Sequence, residues 1–195
     1  MKTLWMIIGL TLALPVWAET EIETETSVTT LTTEQLENYR FPVKPNKYVV
    51  KELTLGQQSI MATQRRAAKD LLVRQLGLVR ITSTREDLSS LQQLVDRKVL
   101  RKSQREEWQA IGILFGDILA KEFRLDWVSY TDEMGANRAL RYRKTENFIF
   151  PVTLFSKRVK FNEDIDMTEI YAALETQIEE FIAWESNNRL PSTLR

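Results

Sequence analysis

From Trp108 to Phe123 the chain repeats apolar residues at helical spacing: Trp108, Ile111, Phe115, Ile118, Leu119 and Phe123. In the middle of that run Gly112 and Gly116 stand one turn apart. Each helical glycine costs about 1 kcal/mol relative to alanine. A helix that carries two of them on one side is expected to have a neighbouring backbone pressed there, where no Cβ intervenes. The spacing is not read as a membrane dimerisation motif, because the segment contains Asp117 and is too short. Ser103, with Glu106 three residues on, has the capping-box spacing for the start of this helix. Asp117 is expected to pair with Lys121 across one turn.

The residues that follow alternate as strands do. Trp127, Ser129 and Thr131 share one face, and Val128 and Tyr130 take the other. Asp132 to Asn137 reads as a turn in which Gly135 supplies a positive φ. Arg138 to Arg143 reads as a second strand, with Leu140 and Tyr142 on one face and Ala139, Arg141 and Arg143 on the other. Thr145 to Asn147 turns again, and Phe148 to Phe155 reads as a third strand, apolar on both faces. Pro151 inside it marks an edge or a bulge. Two apolar faces require a cover, from the closing helix or from residues 39–55.

Supporting helices flank this unit. Gln57 to Leu76 carries Ile60, Ala67, Ala68, Leu71, Leu72 and Leu76 at helical spacing, with Gly77 placed to stop it. Its basic residues, Arg65 among them, read as a solvated face. Ser83 and Glu86 have capping-box spacing for a shorter helix with the stripe Leu88, Leu91, Leu94 and Val95. Asp166 caps a closing helix from Met167 to about Glu185, with Ile170, Leu174, Ile178, Phe181 and Ile182 inward. The fold class expected is α+β, one domain with three antiparallel strands in a meander packed against about four helices. Its bounds are residues 57–186, preceded by an extended approach segment over 39–56, with a short edge strand at Tyr48 to Val50. Residues 187–195 are expected to fray.

The first 38 residues read as something other than a folded element. Residues 1–18 combine one Lys, an apolar run from Leu4 to Leu14, Pro15, and small residues at Val16 and Ala18, as in an export signal cleaved after Ala18. The run is too short to span a bilayer comfortably, so no transmembrane span is expected after cleavage. Residues 19–38 form an acidic, Thr-rich tail without enough apolar surface to offset the entropy of ordering it. The expected location is the periplasm.

The absence of Cys and His from all 195 residues bounds the chemistry. It removes disulfides, thiolate nucleophiles, imidazole bases and the commonest zinc ligands, and with them Ser-His-Asp and Cys-His catalysis. No metal, cofactor or catalytic residue is assigned. Lys plus Arg equals Asp plus Glu at 27 each, so no global field draws the chain to nucleic acid, and an exported protein meets little of it. The neutral whole is nevertheless segregated. Residues 136–160 hold seven basic side chains and one acidic, and residues 161–188 hold eight acidic and none basic.

A basic hairpin beside an acidic helix suits either internal pairing or the binding of an envelope protein or polyanionic surface. The candidate binding residues are Asp117, Trp127, Asp132, Arg138, Arg141 and Arg143, with Trp127 more simply explained as core. The alternative is a carboxylate hydrolase acting on cell-wall glycan. It would need two of Asp117, Asp126, Asp132 and Glu133 within roughly 5–9.5 Å of each other across a groove.

The marks Gly116-Asp117, Asp126-Trp127-Val128, Asp132-Glu133-x-Gly135, Ala139-Leu140-Arg141, Phe150-Pro151 and Ser156-Lys157-Arg158 resemble a family of bacterial proteins known as a domain of unknown function. Asp87-Leu88-x-x-Leu91-Gln92-x-Leu94 is similar to it as well, so the likeness covers about residues 53–181. The acidic leader departs from that pattern. The resemblance implies a shared fold and brings no mechanism with it.

Overall fold

The computed structural model describes residues 47–77 and 80–188. The export signal, the acidic tail, residues 39–46 and residues 189–195 lie outside the described residues. In chain order the elements are β1 (Val49–Glu52), α1 (Leu55–Leu76), a 3-10 turn (Arg85–Asp87), α2 (Leu88–Asp96), α3 (Arg105–Phe123), β2 (Leu125–Asp132), β3 (Gly135–Tyr142), β4 (Phe148–Ile149), α4 (Pro151–Phe161) and α5 (Met167–Asn188). The architecture is α+β. The sheet order is β1-β2-β3-β4, and every pairing is antiparallel.

Two expectations are corrected here. The described sheet has four strands rather than three, because the edge strand foreseen near Tyr48 forms at Val49–Glu52 and pairs with β2. The described helices number five rather than about four, because the third strand of the meander stops at Ile149. Pro151 occupies the first turn of α4, where its missing N–H has no intrahelical acceptor to lose and its fixed φ suits the helix. The same residue that marks a strand edge in sequence is therefore a helix start in space.

α3 is the centre of the molecule. All seven residues from Ala110 to Gly116 are buried, so this helix is covered on every side instead of along one stripe. α4, α1 and β2 all pack on it. The glycines do what their cost implied. A Cβ on Gly112 would overlap the carbonyl oxygen of Pro151. A Cβ on Gly116 would stand 2.6 Å from Cζ2 of Trp127 and 3.0 Å from the Pro151 Cβ. The first turn of α4 and the Trp127 ring thus lie in a notch that only glycine leaves open.

Local chemistry sets the helix ends. Thr54 Oγ1 accepts from the Gln57 N–H at 3.2 Å, and Gln57 Oε1 accepts from the Thr54 N–H at 3.0 Å, which starts α1 two residues earlier than its apolar pattern does. Gly77, at φ 70°, ends it by donating to the Val73 carbonyl. The α2 entry is shifted by one residue from the Ser83–Glu86 spacing. Buried Asp87 accepts from the Thr82 N–H at 2.9 Å and the Thr84 N–H at 3.3 Å. α3 begins at a Gln104 cap without a side-chain cap bond, so Ser103 and Glu106 do not form the expected box. The Asp166 cap of α5 forms, its Oδ1 accepting from the N–H groups of Thr168 and Glu169 at 2.9 Å each.

The core mostly follows the apolar stripes, with two exchanges. On α1 Ile60 is exposed, and Met61 is buried against Ile113 and Val152. On α5 Ile182 is exposed, and Tyr171 is buried between Phe115 and Phe123. The outer face of the sheet carries its own aromatic layer. Tyr48 stacks on Tyr130 at 5.0 Å, and Phe148 and Phe150 each meet Tyr130 edge-on at 5.1 Å. The residue just before β1 therefore helps to cover the second apolar face.

Gly112→Ala and Gly116→Ala are predicted to destabilise the fold by about 1–3 kcal/mol, overpacking outweighing the gain in helix propensity. Gly56→Ala, where an added Cβ meets only Thr54 Oγ1 at 3.9 Å, is predicted to be neutral or stabilising. Urea unfolding of the three variants measures the contrast.

Tyr171 gives a prediction with pH. Burial pushes its hydroxyl up to about 12, with Glu122 and Glu175 adding to the effect. Because the folded value lies above the unfolded one, the stability linked to this proton is fully present below about pH 10 and is lost as pH rises towards 12. In Tyr171→Phe that alkaline loss should shrink, as followed by unfolding free energy between pH 9 and 12. A decline equal to wild type would refute the assignment.

Candidate functional site

The polar residues with the most distinctive surroundings lie where α1 crosses α3 and the inner face of the sheet. Gln57, Met61, Gln64, Arg65, Ala68 and Leu72 form the stripe of α1 that faces inward, at helical spacing. Met61, Ala68 and Leu72 are its apolar members, and each polar residue finds a partner. Gln57 Nε2 donates to Ser129 Oγ at 2.9 Å. Gln64 Oε1 accepts from Nη1 of Arg138. Arg65 meets Asp117 through two bonds, Nε to Oδ2 and Nη2 to Oδ1, both 2.7 Å.

Asp117 also accepts from the indole Nε1 of Trp127 at 3.0 Å. The expected pair with Lys121 does not form. Lys121 Nζ donates to the Thr82 carbonyl at 2.9 Å instead. The cause is the glycine notch. Trp127 lies over Gly116, and that brings its N–H to the adjacent carboxylate. The Asp117 side chain is 15 % exposed and the Arg65 side chain 30 %, so solvent screens the pair only in part. The bond to Asp117 holds the Arg65 guanidinium above its usual range, with burial opposing.

Arg138 is in the reverse situation. It is half-buried, and its value is lowered, first by that burial and then by the charge of Arg65. Among the described residues no carboxylate pairs with it, and its hydrogen bond is to the neutral Gln64. It lines a cleft of about 430 Å³ between α1 and the first turn of α3, together with Ser59, Ile60, Thr63, Gln64, Glu106 and Gln109.

Of the six residues singled out from sequence, the structure gathers Asp117, Trp127 and, through Arg65, Arg138. The others stand apart. Asp132 Oδ1 accepts from the Met134 N–H at 2.9 Å in the hairpin turn. Arg141 donates to the Thr145 carbonyl at 2.6 Å and the Lys144 carbonyl at 2.9 Å, closing the β3–β4 turn, and lies 5.6 Å over the Phe148 ring. Arg143 pairs with Glu185 of the acidic helix at 2.9 Å, one instance of the internal pairing considered above.

The hydrolase carboxylates do not converge. Asp126 lies on the sheet face opposite Trp127. Asp132 is five residues along β2 from Trp127, about 17 Å at strand rise. Among the described residues no three His, Cys, Asp or Glu side chains are grouped so as to hold a metal, and no helix is long and apolar enough to cross a membrane.

Sequence reasoning missed Arg65, which it left on a solvated face, and did not single out Gln64. The available signal was the alternative stripe starting at Gln57, which passes through Met61 and reaches the same Ala68 and Leu72.

Residues 87–171 match the model of a family described as a domain of unknown function, DUF3806. The likeness to an uncharacterised domain family is thereby shown, and it takes in α2, α3, the hairpin and α4. Asp117, Trp127, Arg138, Glu106 and Gln109 lie within the matched span, whereas Gln64 and Arg65 lie before it. A crystal structure from Bacteroides thetaiotaomicron VPI-5482 at 1.50 Å has the same fold, with TM-score 0.61 and 20 % identity. The alignment covers 69 % of this chain and 50 % of that one, so the chain spans about half the length of that structure. No curated protein matches the chain significantly.

Asp117→Asn is predicted to destabilise by about 1–3 kcal/mol, since it leaves a partly buried guanidinium without its counter-charge. Lys121→Ala should change stability by less than about 0.5 kcal/mol. The double variant Asp117→Asn/Arg65→Gln should lose less than the two singles summed, as measured by denaturant unfolding. Strict additivity would show that the pair is not coupled.

Proposed function

We propose that this protein is an exported, non-catalytic binding module of the bacterial envelope. On this reading it engages an envelope protein through the basic hairpin, with Arg138 as the contact that has bonding capacity to spare. The observation that carries the reading is the contrast among the arginines. Arg65 and Arg143 are ion-paired, and Arg141 is spent on turn carbonyls. Arg138 meets one neutral amide at the wall of an open cleft. A half-buried guanidinium without a counter-charge is stabilised by any anionic group that reaches it. The hydrolase reading has less support, because its best carboxylate, Asp117, is bound on both oxygens by Arg65 and by the Trp127 indole.

The export half of the reading rests on residues 1–18, and the location proposed is the periplasm. One preparation tests both halves. Tagged full-length protein, expressed in a bacterial host and recovered by osmotic shock, should have a mass that begins at Glu19. Incubated with solubilised envelopes, it should retain a partner that the Arg138→Glu variant does not. Protein kept in the cytoplasm with residues 1–18 attached would remove the export claim, and equal capture by both forms would remove the binding claim.

A further inference from the structure

The cleft beside Arg138 has a second charged residue that forms no ion pair among the described residues. Glu106, on the first turn of α3, lines the same cleft, and among the described residues no cation lies within 4.0 Å of its carboxylate. Arg138 and Glu106 therefore share a cleft without bridging it. Between them the lining is uncharged, polar at Ser59, Thr63, Gln64 and Gln109 and apolar at Ile60. Those hydroxyls and amides both donate and accept.

Such a lining discriminates. The guanidinium fork of Arg138 matches a carboxylate in two parallel bonds. A polyanion placed there would meet Glu106, and the repulsion rises with each added charge. A ligand with one negative and one positive end meets neither penalty. The volume, about 430 Å³, falls in the range of small-molecule sites.

We propose that this cleft holds a zwitterionic amino-acid unit, its carboxylate on Arg138, its ammonium group towards Glu106, and its peptide or side-chain polar atoms on Gln64 and Gln109. The proposal deepens the binding-module reading and rests on it, because it names the chemical group that Arg138 recognises. The neutral amide of Gln64 fixes the guanidinium without competing for its charge.

The experiment is a titration of the folded protein with glycylglycine, acetate and inorganic phosphate, followed by amide NMR shifts at Gln64, Gln109 and Glu106. Glycylglycine is expected to saturate, and to bind at least 10-fold more tightly than acetate or phosphate. Arg138→Gln should weaken it at least 10-fold. Glu106→Gln, an exposed change that leaves the packing alone, should weaken glycylglycine and at the same time tighten acetate. That reversal between two ligands cannot come from a loss of folding.

Equal binding of acetate, phosphate and glycylglycine, absence of saturation, or a Glu106→Gln variant that treats all three alike overturns the proposal. If glycylglycine fails while Arg138→Glu still abolishes envelope capture, the ligand class falls and the binding module stands. If glycylglycine binds as described and capture ignores Arg138, the cleft is a small-molecule site and the protein-partner reading falls.

Discussion

The contact between the backbone of Pro151, the ring of Trp127 and the bare side of α3 at Gly112 and Gly116 sets the positions of the other parts. It is a van der Waals contact, and its strength comes from the absence of two methyl groups. With Trp127 seated over Gly116, its indole N–H reaches Asp117. With Asp117 fixed from one side, Arg65 closes on it from the other and positions α1. With α1 in place, Gln64 stands next to Arg138. A packing constraint in the core is thus passed outward, through one indole and one ion pair, to the cleft that Arg138 lines.

Much of the fold was legible because periodicity and chemistry agreed. The stripe of α2, the deep packing of α3, the β2–β3 hairpin with Gly135 at φ 116°, and the stop at Gly77 all follow from residues whose roles admit one simple solution. Legibility failed where one residue type serves two purposes. Pro151 could close a strand or open a helix, and only the notch on α3 decides for the helix. Several elements end on non-glycine residues in the left-handed region, Arg124 at φ 54°, Arg143 at 50° and Asn162 at 57°. At those positions the usual glycine signal is missing, and tertiary contacts impose the conformation at some local cost.

The site was harder to read than the fold, for a different reason. The inward stripe of α1 mixes Gln57, Gln64 and Arg65 with Met61, so a search for apolar spacing settles on Ile60 and turns the helix by one residue. That rotation sends Arg65 to solvent and hides its partner. Asp117, Trp127 and Arg138 were visible as unusual residues, but the link among them runs through an arginine on a helix more than 50 residues upstream of Asp117. Such a link has no local signature. Charge segregation between the hairpin and α5 was visible in composition, and the structure resolves it in part as the Arg143–Glu185 pair.

The order of the pairings carries a consequence for how the chain comes together. β2, β3, β4 and α4 are contiguous with α3, and their contacts need only short loops to close. β1 and α1 are different, because their partners, β2 and α3, all lie downstream. As the chain is released amino end first, these two elements emerge before the partners on which they pack. β1 must remain unpaired until β2 has appeared, some 80 residues later, whereas α1 waits only for α2 and α3. Gln57, Gln64 and Arg65 on the inward face of α1, unhelpful as a core signal, also make that waiting segment less adhesive than an apolar helix would be.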